Sequence, residues 1–275
     1  IAWLYYADRL MEFPLGVFSI ALATVILPGL AAHHAAQSPE RFNATLDWAV
    51  KLTVIVVLPA TVALVMLAGP LTVTIFHYGK FNAHDVRMAS LALMAYASGL
   101  LAFSMVKVLA PGYFARQDTR TPVRIGIRAL GLNMGLNLAI VLPLALTNDR
   151  PGLHALLALN NGIGAWYNST MLYRGLRRSG VLQHGPGWKQ TIGQVLAANV
   201  VMVTFLWWFA GDTQRWLDMG TWQRAGGMSR LVAGGGALYF GTLYLLGMRL
   251  RHLRVPAPPR GPHPPAPAGS SGPAD

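Results

Sequence analysis

The chain has 275 residues, 53% of them hydrophobic and only 12% charged, with a formal net charge of +12 and no cysteine. The absent thiol excludes thiolate catalysis, thiolate metal sites and disulfides within the chain. A basic excess in a soluble chain points to nucleic acid, but no nucleic-acid motif is present and most arginines sit in short segments between apolar runs, so the charge reads as membrane topology and contact with anionic lipids.

Seven runs of 18 to 28 residues contain no Lys, Arg, Asp or Glu: 13–39, 52–79, 88–106, 129–148, 151–173, 190–211 and 231–248. About 20 apolar residues in a helix cross the hydrocarbon core of a bilayer. The pattern predicts an all-α integral membrane protein with seven transmembrane helices. A β-barrel would alternate over roughly ten-residue segments, and these runs do not.

In chain order, Ile1 opens a stretch that is apolar and aromatic at once, so the chain reads as the C-terminal part of something longer. The first helix is predicted over 6–36, with kinks at Pro14 and Pro28, since proline removes a backbone bond and crowds the preceding turn. Ser38-Pro39-Glu40 is a helix-start signature, with Ser38 as the cap. The second helix runs over 40–68, bends at Pro59 and is ended by Gly69-Pro70. Residues 71–81 are too short to span and read as an interfacial turn, carrying Phe76, Tyr78 and Phe81 at headgroup depth. Further helices are expected over 84–113, 122–146, 151–178, 188–210 and 221–249. Residues 116–124 form a polar loop, and 147–150 a tight turn. The tail over 255–275 is rich in Pro, Gly, Ala and Ser and cannot bury enough apolar surface to fold, so it reads as disordered.

Orientation follows from Lys and Arg in the connections. The segments after the first, third, fifth and seventh helices hold Arg41, Arg116, Arg120, Arg124, Arg174, Arg177, Arg178, Lys189, Arg249, Arg251, Arg254 and Arg260, twelve in all. The opposite side holds seven: Arg9, Lys80, Arg87, Arg150, Arg215, Arg224 and Arg230. The bias places the first set and the tail in the cytoplasm.

The sharpest local feature is Tyr5-Tyr6-Ala7-Asp8-Arg9-Leu10-Met11-Glu12-Phe13-Pro14. Asp8 and Glu12 lie one turn apart on one helix face, and Arg9 reaches Glu12 at i,i+3. Charges at membrane depth face a cavity or pair with one another. Either Arg9 snorkels to the headgroups with two carboxylate partners, or it is presented to an anionic group on a substrate, which its planar fork suits. Lys107 follows a long uncharged run and either snorkels from a helix end or lines a cavity. Asn133 and Asn137, one turn apart in the fourth helix, serve helix packing or an ion site. Asn160, Asn161 and Asn168 in the fifth helix carry the same two readings.

Other features point away from chemistry. Gly79-Lys80 lacks the upstream glycine of a phosphate loop, and no zinc-protease or nucleophile-elbow motif is present. His33-His34 has no carboxylate or thiol company and reads as a solvated pair rather than a metal site. Gly234-Gly235-Gly236 inside the last helix reads as close helix packing. No metal or cofactor is called for.

The run from Tyr5 to Pro14, Gly69-Pro70-Leu71-Thr72-Val73 with Tyr78-Gly79-Lys80-Phe81, and the stretch from Lys107 through Pro111-Gly112-Tyr113-Phe114-Ala115-Arg116-Gln117-Asp118-Thr119-Arg120-Thr121 to Pro122 together resemble the MurJ (MviN) family of lipid II flippases. That family lies within the multidrug/oligosaccharidyl-lipid/polysaccharide exporter superfamily. The resemblance covers about residues 1–254 and is most specific over the first 120. It implies a fourteen-helix, two-lobed transporter, of which 1–178 supplies five helices of the second lobe and 179–254 two additional C-terminal helices. It implies transport of the undecaprenyl-pyrophosphate-linked peptidoglycan precursor across the bacterial inner membrane, not catalysis. It places Arg9 at a cavity arginine that meets pyrophosphate, with Asp8, Glu12 and Lys107 as charged cavity positions. The implied partners are lipid II, membrane lipids and the missing N-terminal lobe. Rival readings are a cation-coupled drug or polysaccharide-lipid exporter of the same fold, a membrane enzyme acting on prenyl phosphates, and a non-transporting membrane scaffold.

Overall fold

The computed structural model describes residues 2–146, 152–185 and 187–248. The turn at 147–150, the last residue of the helix expected over 221–249 and the tail over 255–275 lie outside these residues. Every element among them is helical. The chain runs α1 (Ala2–Pro14), a π-helical segment (Leu15–Ile20), α2 (Ala21–Ala35), α3 (Pro39–Met66), α4 (Ala68–Phe76), α5 (Ala83–Ala97), α6 (Leu100–Phe114), α7 (Arg120–Leu136), a second π-helical segment (Asn137–Val141), α8 (Leu142–Leu146), α9 (Leu153–Arg178), α10 (Trp188–Ala210), α11 (Thr213–Leu217) and α12 (Thr221–Leu245).

The prolines explain several departures from ideal helix. Pro14 has no N–H to give, and the helix answers with a wider π turn over Leu15–Ile20 before resuming as α2. Pro28 sits inside α2 with helix on both sides. Gly69-Pro70 does not end the second helix as expected. The break comes at Leu67, and Pro70 falls in the first turn of α4, where its missing N–H costs nothing. Residues 71–76 are therefore helix rather than a turn. Phe76 and Phe81 pack on Tyr6, with ring centroids 4.7 Å and 5.3 Å away, and only Tyr78 is left exposed.

Other ends follow local chemistry. Pro39 is the first residue of α3 and Ser38 holds the N-cap position as expected, but the Ser38 hydroxyl donates to the Ala36 carbonyl, 3.3 Å away, instead of capping a helix N–H. Asn82 and Asp85 form a reciprocal capping box at the start of α5, each side chain accepting from the other's backbone N–H at 3.0 Å. In the polar loop, Asp118 accepts from the Thr121 N–H at 3.0 Å and steadies the entry to α7. Hydrogen bonds from Thr121 hold the Asp118 carboxyl below the usual carboxylate range.

The expected third helix is two, α5 and α6, broken at Ser98-Gly99. The break rests on α9: a Cβ added at Gly99 would lie 2.8 Å from the Gly162 Cα. Trp166 of α9 donates its indole N–H to the Ser98 carbonyl at 3.1 Å, satisfying an acceptor there.

Two apolar cores organise the bundle. One joins α2, α3, α6 and α9 around Leu30, Leu46, Leu109, Leu172 and Leu176. The other joins α3 and α4 to α10, α11 and α12 around Ile55, Val73, Leu206, Trp216 and Tyr239. In the second core, α12 presses on α10 at the glycine triplet: a Cβ at Gly234 would lie 2.8 Å from the Phe205 ring and one at Gly235 3.3 Å from Leu206, while Gly236 faces open space.

Two polar clamps hold the last helices in place. Pro59 leaves the Ile55 carbonyl without its i+4 donor, and the buried Tyr239 hydroxyl donates to that carbonyl at 2.6 Å. Arg224, 6% exposed, donates to the carbonyls of Trp216 at 3.0 Å, Leu217 at 2.9 Å and His77 at 3.2 Å. It thereby ties α12 to the ends of α11 and α4.

Tyr239→Phe removes the hydroxyl donor that serves the Ile55 carbonyl in place of the N–H that Pro59 lacks, and is expected to cost about 1–2 kcal/mol. In a Pro59→Ala background the same change should cost much less, because the helix then supplies its own N–H. Thermal unfolding of the four-member cycle in detergent checks this, and additive losses would refute the coupling.

Candidate functional site

Arg9 stands on the exposed face of α1, seven residues in from Ala2 and so roughly 10 Å along the helix. Its guanidinium donates to Glu12 Oε2 at 3.2 Å and to the Tyr5 hydroxyl at 3.2 Å. It also lies 5.1 Å from the Tyr5 ring centroid, within cation–π range. The Arg9 and Glu12 side chains are 59% and 54% exposed. The i,i+3 pairing expected from the spacing is formed. Asp8 is not in it: its half-buried side chain forms no ion pair, and it lies near Tyr96 of α5. Arg9 is thus held by Tyr5 and Glu12, one turn on either side, and Tyr5 is a partner that charge reasoning missed. An aromatic hydroxyl at i−4 was the available signal.

Lys107 lies elsewhere. It lines a cavity of about 330 Å³ between α6, α7 and α9, together with Asn133, Asn161 and Asn168. The sequence reading kept Lys107 and the asparagines apart, and the fold brings them together. The asparagines form a ladder across two helices. Asn137 donates to Asn133 at 3.0 Å, Asn160 to Asn137 at 2.9 Å, and Asn133 to Asn161 at 3.3 Å. The side-chain oxygens of Asn133, Asn137 and Asn161 therefore each accept a neighbour's amide. Asn168 Oδ1 is buried with no partner, and Asn168 lines the same cavity as Lys107. The second π-helical segment begins at Asn137, where the ladder bonds lie.

A further polar cluster escaped the sequence reading. Asp47, 6% exposed, accepts from the Trp188 indole at 2.7 Å, from His184 Nδ1 at 3.1 Å and from Lys51 at 3.3 Å. Tyr173 in turn contacts His184. Lys51 is a local i+4 partner, but His184 and Trp188 lie 137 and 141 residues along the chain, which no local pattern reveals. With both carboxylate oxygens engaged, this cluster is a clamp between α3 and the start of α10, not a free acid. The expected solvated His33-His34 pair is split. His34 is exposed beside Phe42, whereas His33 is buried, with Nδ1 unpartnered. Among the described residues no group of three or more His, Cys, Asp or Glu is placed to hold a metal.

The polar features of the bundle are thus an exposed ion pair on α1, a separate lysine–asparagine cavity and polar clamps between helices. Residues 1–223 match the family model described as lipid II flippase MurJ. The chain belongs to the lipid II flippase MurJ family.

It is 39% identical over 259 residues to the probable lipid II flippase MurJ of Haemophilus influenzae, covering 92% of this chain and 49% of that relative. It is 41% identical over 255 residues to the probable lipid II flippase MurJ of Vibrio cholerae, with 93% and 47% covered. Against the lipid II flippase MurJ of Burkholderia cenocepacia the identity is 37% over 256 residues, with 92% and 48% covered. The chain therefore spans about half the length of the curated relatives it matches. Among solved structures, a lipid II flippase MurJ in an inward closed conformation superposes with a TM-score of 0.72 at 20% identity, over 92% of this chain and 48% of that one. That likeness shows the fold.

Asn137→Leu removes both an acceptor for Asn160 and a donor to Asn133. It is expected to lower the stability of the α7–α9 pair by about 1 kcal/mol, read as a lowered melting temperature in detergent. An unchanged melting temperature would deny the ladder a packing role.

Proposed function

We propose that this chain forms the second lobe and the two additional helices of a transporter that moves lipid II from the cytoplasmic to the periplasmic leaflet by alternating access, with no chemical step. The family supports the substrate class. The observation that carries the site is the Arg9–Glu12 pair, more than half exposed on a helix whose neighbouring exposed residues include Phe13, Val17 and Phe18. Hydrocarbon is a costly neighbour for such a charge. A water-filled cavity closed by a partner lobe removes that cost, and leaves guanidinium donors facing the space where a pyrophosphate passes. Tyr5 and Glu12 hold the fork in place. Asp8, turned aside, sets local charge rather than gripping Arg9. Lys107 lines the lobe's own cavity with Asn168, and acts on cargo only if the lobe opens there. Asn133 and Asn137 serve helix packing, since their oxygens are already taken.

In the same reading the chain crosses the inner membrane seven times and ends in the cytoplasm. The crossings are α1 with α2, α3, α5 with α6, α7 with α8, α9, α10 and α12. Four helices, Pro39–Met66, Ala83–Phe114, Arg120–Leu144 and Trp188–Ala210, are long and apolar enough by composition alone. The other three have physical reasons to fall short. The first is cut by its π turn, α9 carries three asparagines, and α12 carries Arg224, Arg230 and several glycines. His33, Arg116 and Ser179 meet around one cavity, as the ends after the first, third and fifth crossings should if they share the cytoplasmic side. Transport is driven by an ion gradient, by substrate supply or by membrane potential, the last worth roughly 2.3 kcal/mol per charge at 100 mV.

In the full-length protein, Arg9→Ala is expected to abolish rescue of cells depleted of their own flippase, and Arg9→Lys to weaken it, while the level of folded protein stays unchanged. Wild-type growth with the Ala variant would remove Arg9 from the transport path. The 275-residue chain expressed alone is expected to give no rescue; growth restored by it would contradict the two-lobe reading.

A further inference from the structure

A cavity of about 770 Å³ opens between the end of α10, the short α11 and the start of α12. Its lining combines Arg215 and Arg230 with the aromatic rings of Trp208, Phe209 and Trp216, and no carboxylate takes part. We propose that this cavity holds the phosphate of an anionic phospholipid headgroup, at a site separate from the Arg9 face.

The donors are available. Arg230 gives Nε to the Gly226 carbonyl at 3.1 Å, which leaves its terminal nitrogens free. Arg215 is exposed and, among the described residues, is in no ion pair, although Asp212 and Asp218 lie within three residues of it. Gln223 uses its oxygen to accept from the Gly220 N–H, so its amide nitrogen also remains a donor. Guanidinium groups bind phosphate through paired, charge-assisted hydrogen bonds. The Trp216 indole is spent on the Ala210 carbonyl, so the aromatic rings supply apolar walls rather than competing donors.

The depth of the cavity argues that the phosphate belongs to a lipid. Trp207, Trp208 and Trp222 are 69%, 73% and 89% exposed at this end of the bundle. Tryptophan gathers where hydrocarbon meets headgroups, so the cavity sits at headgroup level and opens toward acyl chains. The charge also runs against topology. Arg215, Arg224 and Arg230 lie on the side that the lysine and arginine bias assigns away from the cytoplasm. Arg224 is accounted for by the three carbonyls it caps, and the other two have no such structural employment.

The test uses the full chain purified in detergent and analysed by native mass spectrometry after exposure to phosphatidylglycerol, phosphatidylcholine or inorganic phosphate. Wild-type protein is expected to retain phosphatidylglycerol over phosphatidylcholine by about tenfold or more, because the choline cation offsets the charge of the phosphate that both lipids carry and is repelled by the two arginines. Arg215→Gln with Arg230→Gln should abolish that preference without changing helical content by circular dichroism. Equal retention of the two lipids by the wild type would overturn the proposal, and needs no variant to read. So would an undiminished preference in a folded double variant. Retention of inorganic phosphate with no preference between the lipids would overturn the assignment to a lipid.

Discussion

Hydrocarbon offers no hydrogen bonds, and the rest of this structure depends on that constraint. A helix hides its own backbone groups, but each proline inside a helix releases a carbonyl that water cannot reach. At Pro59 the released acceptor is the Ile55 carbonyl, and the fold brings a tyrosine from 184 residues away to serve it. At Pro14 the helix instead widens into a π turn. Arg224 applies the same logic to helix ends, giving three donors to three carbonyls. These bonds decide where α10 to α12 dock, because apolar surface alone has little preference between a helix and a lipid tail.

Against that background an exposed charge is informative. Asp47 is walled in by Trp188, His184 and Lys51, and Asn133, Asn137, Asn160 and Asn161 bond to one another. The Arg9–Glu12 pair is treated differently: it is ordered by Tyr5 but left facing outward. The chain spans about half of the relatives it matches, and in the proposed reading the open face of α1 is where another part of a full-length family member closes a cavity.

Much of this was legible in the residues, and the failures share a cause. The long uncharged runs, the Pro39 helix start, the Arg9–Glu12 pair and the tight packing at Gly234-Gly235 all follow from short-range spacing. Ser98-Gly99 gave no sign of a break, because its reason is the backbone of Gly162 on another helix. Gly69-Pro70 was misread as a stop, because the same dipeptide suits the first turn of a new helix. His33 passed for a solvated residue, because nothing local says which face of a helix end is covered.

What the sequence by itself determined is the long apolar helices and the charged turn on the first of them. Solvation in lipid and the i,i+3 geometry of a helix depend only on composition and local spacing. What only the tertiary structure decided is which polar groups are consumed and which are left over. The partners of Asp47, Ile55, Arg224 and the Lys107 cavity come from distant segments, and a hydrogen bond between helices exists only once packing has brought its two ends within about 3 Å.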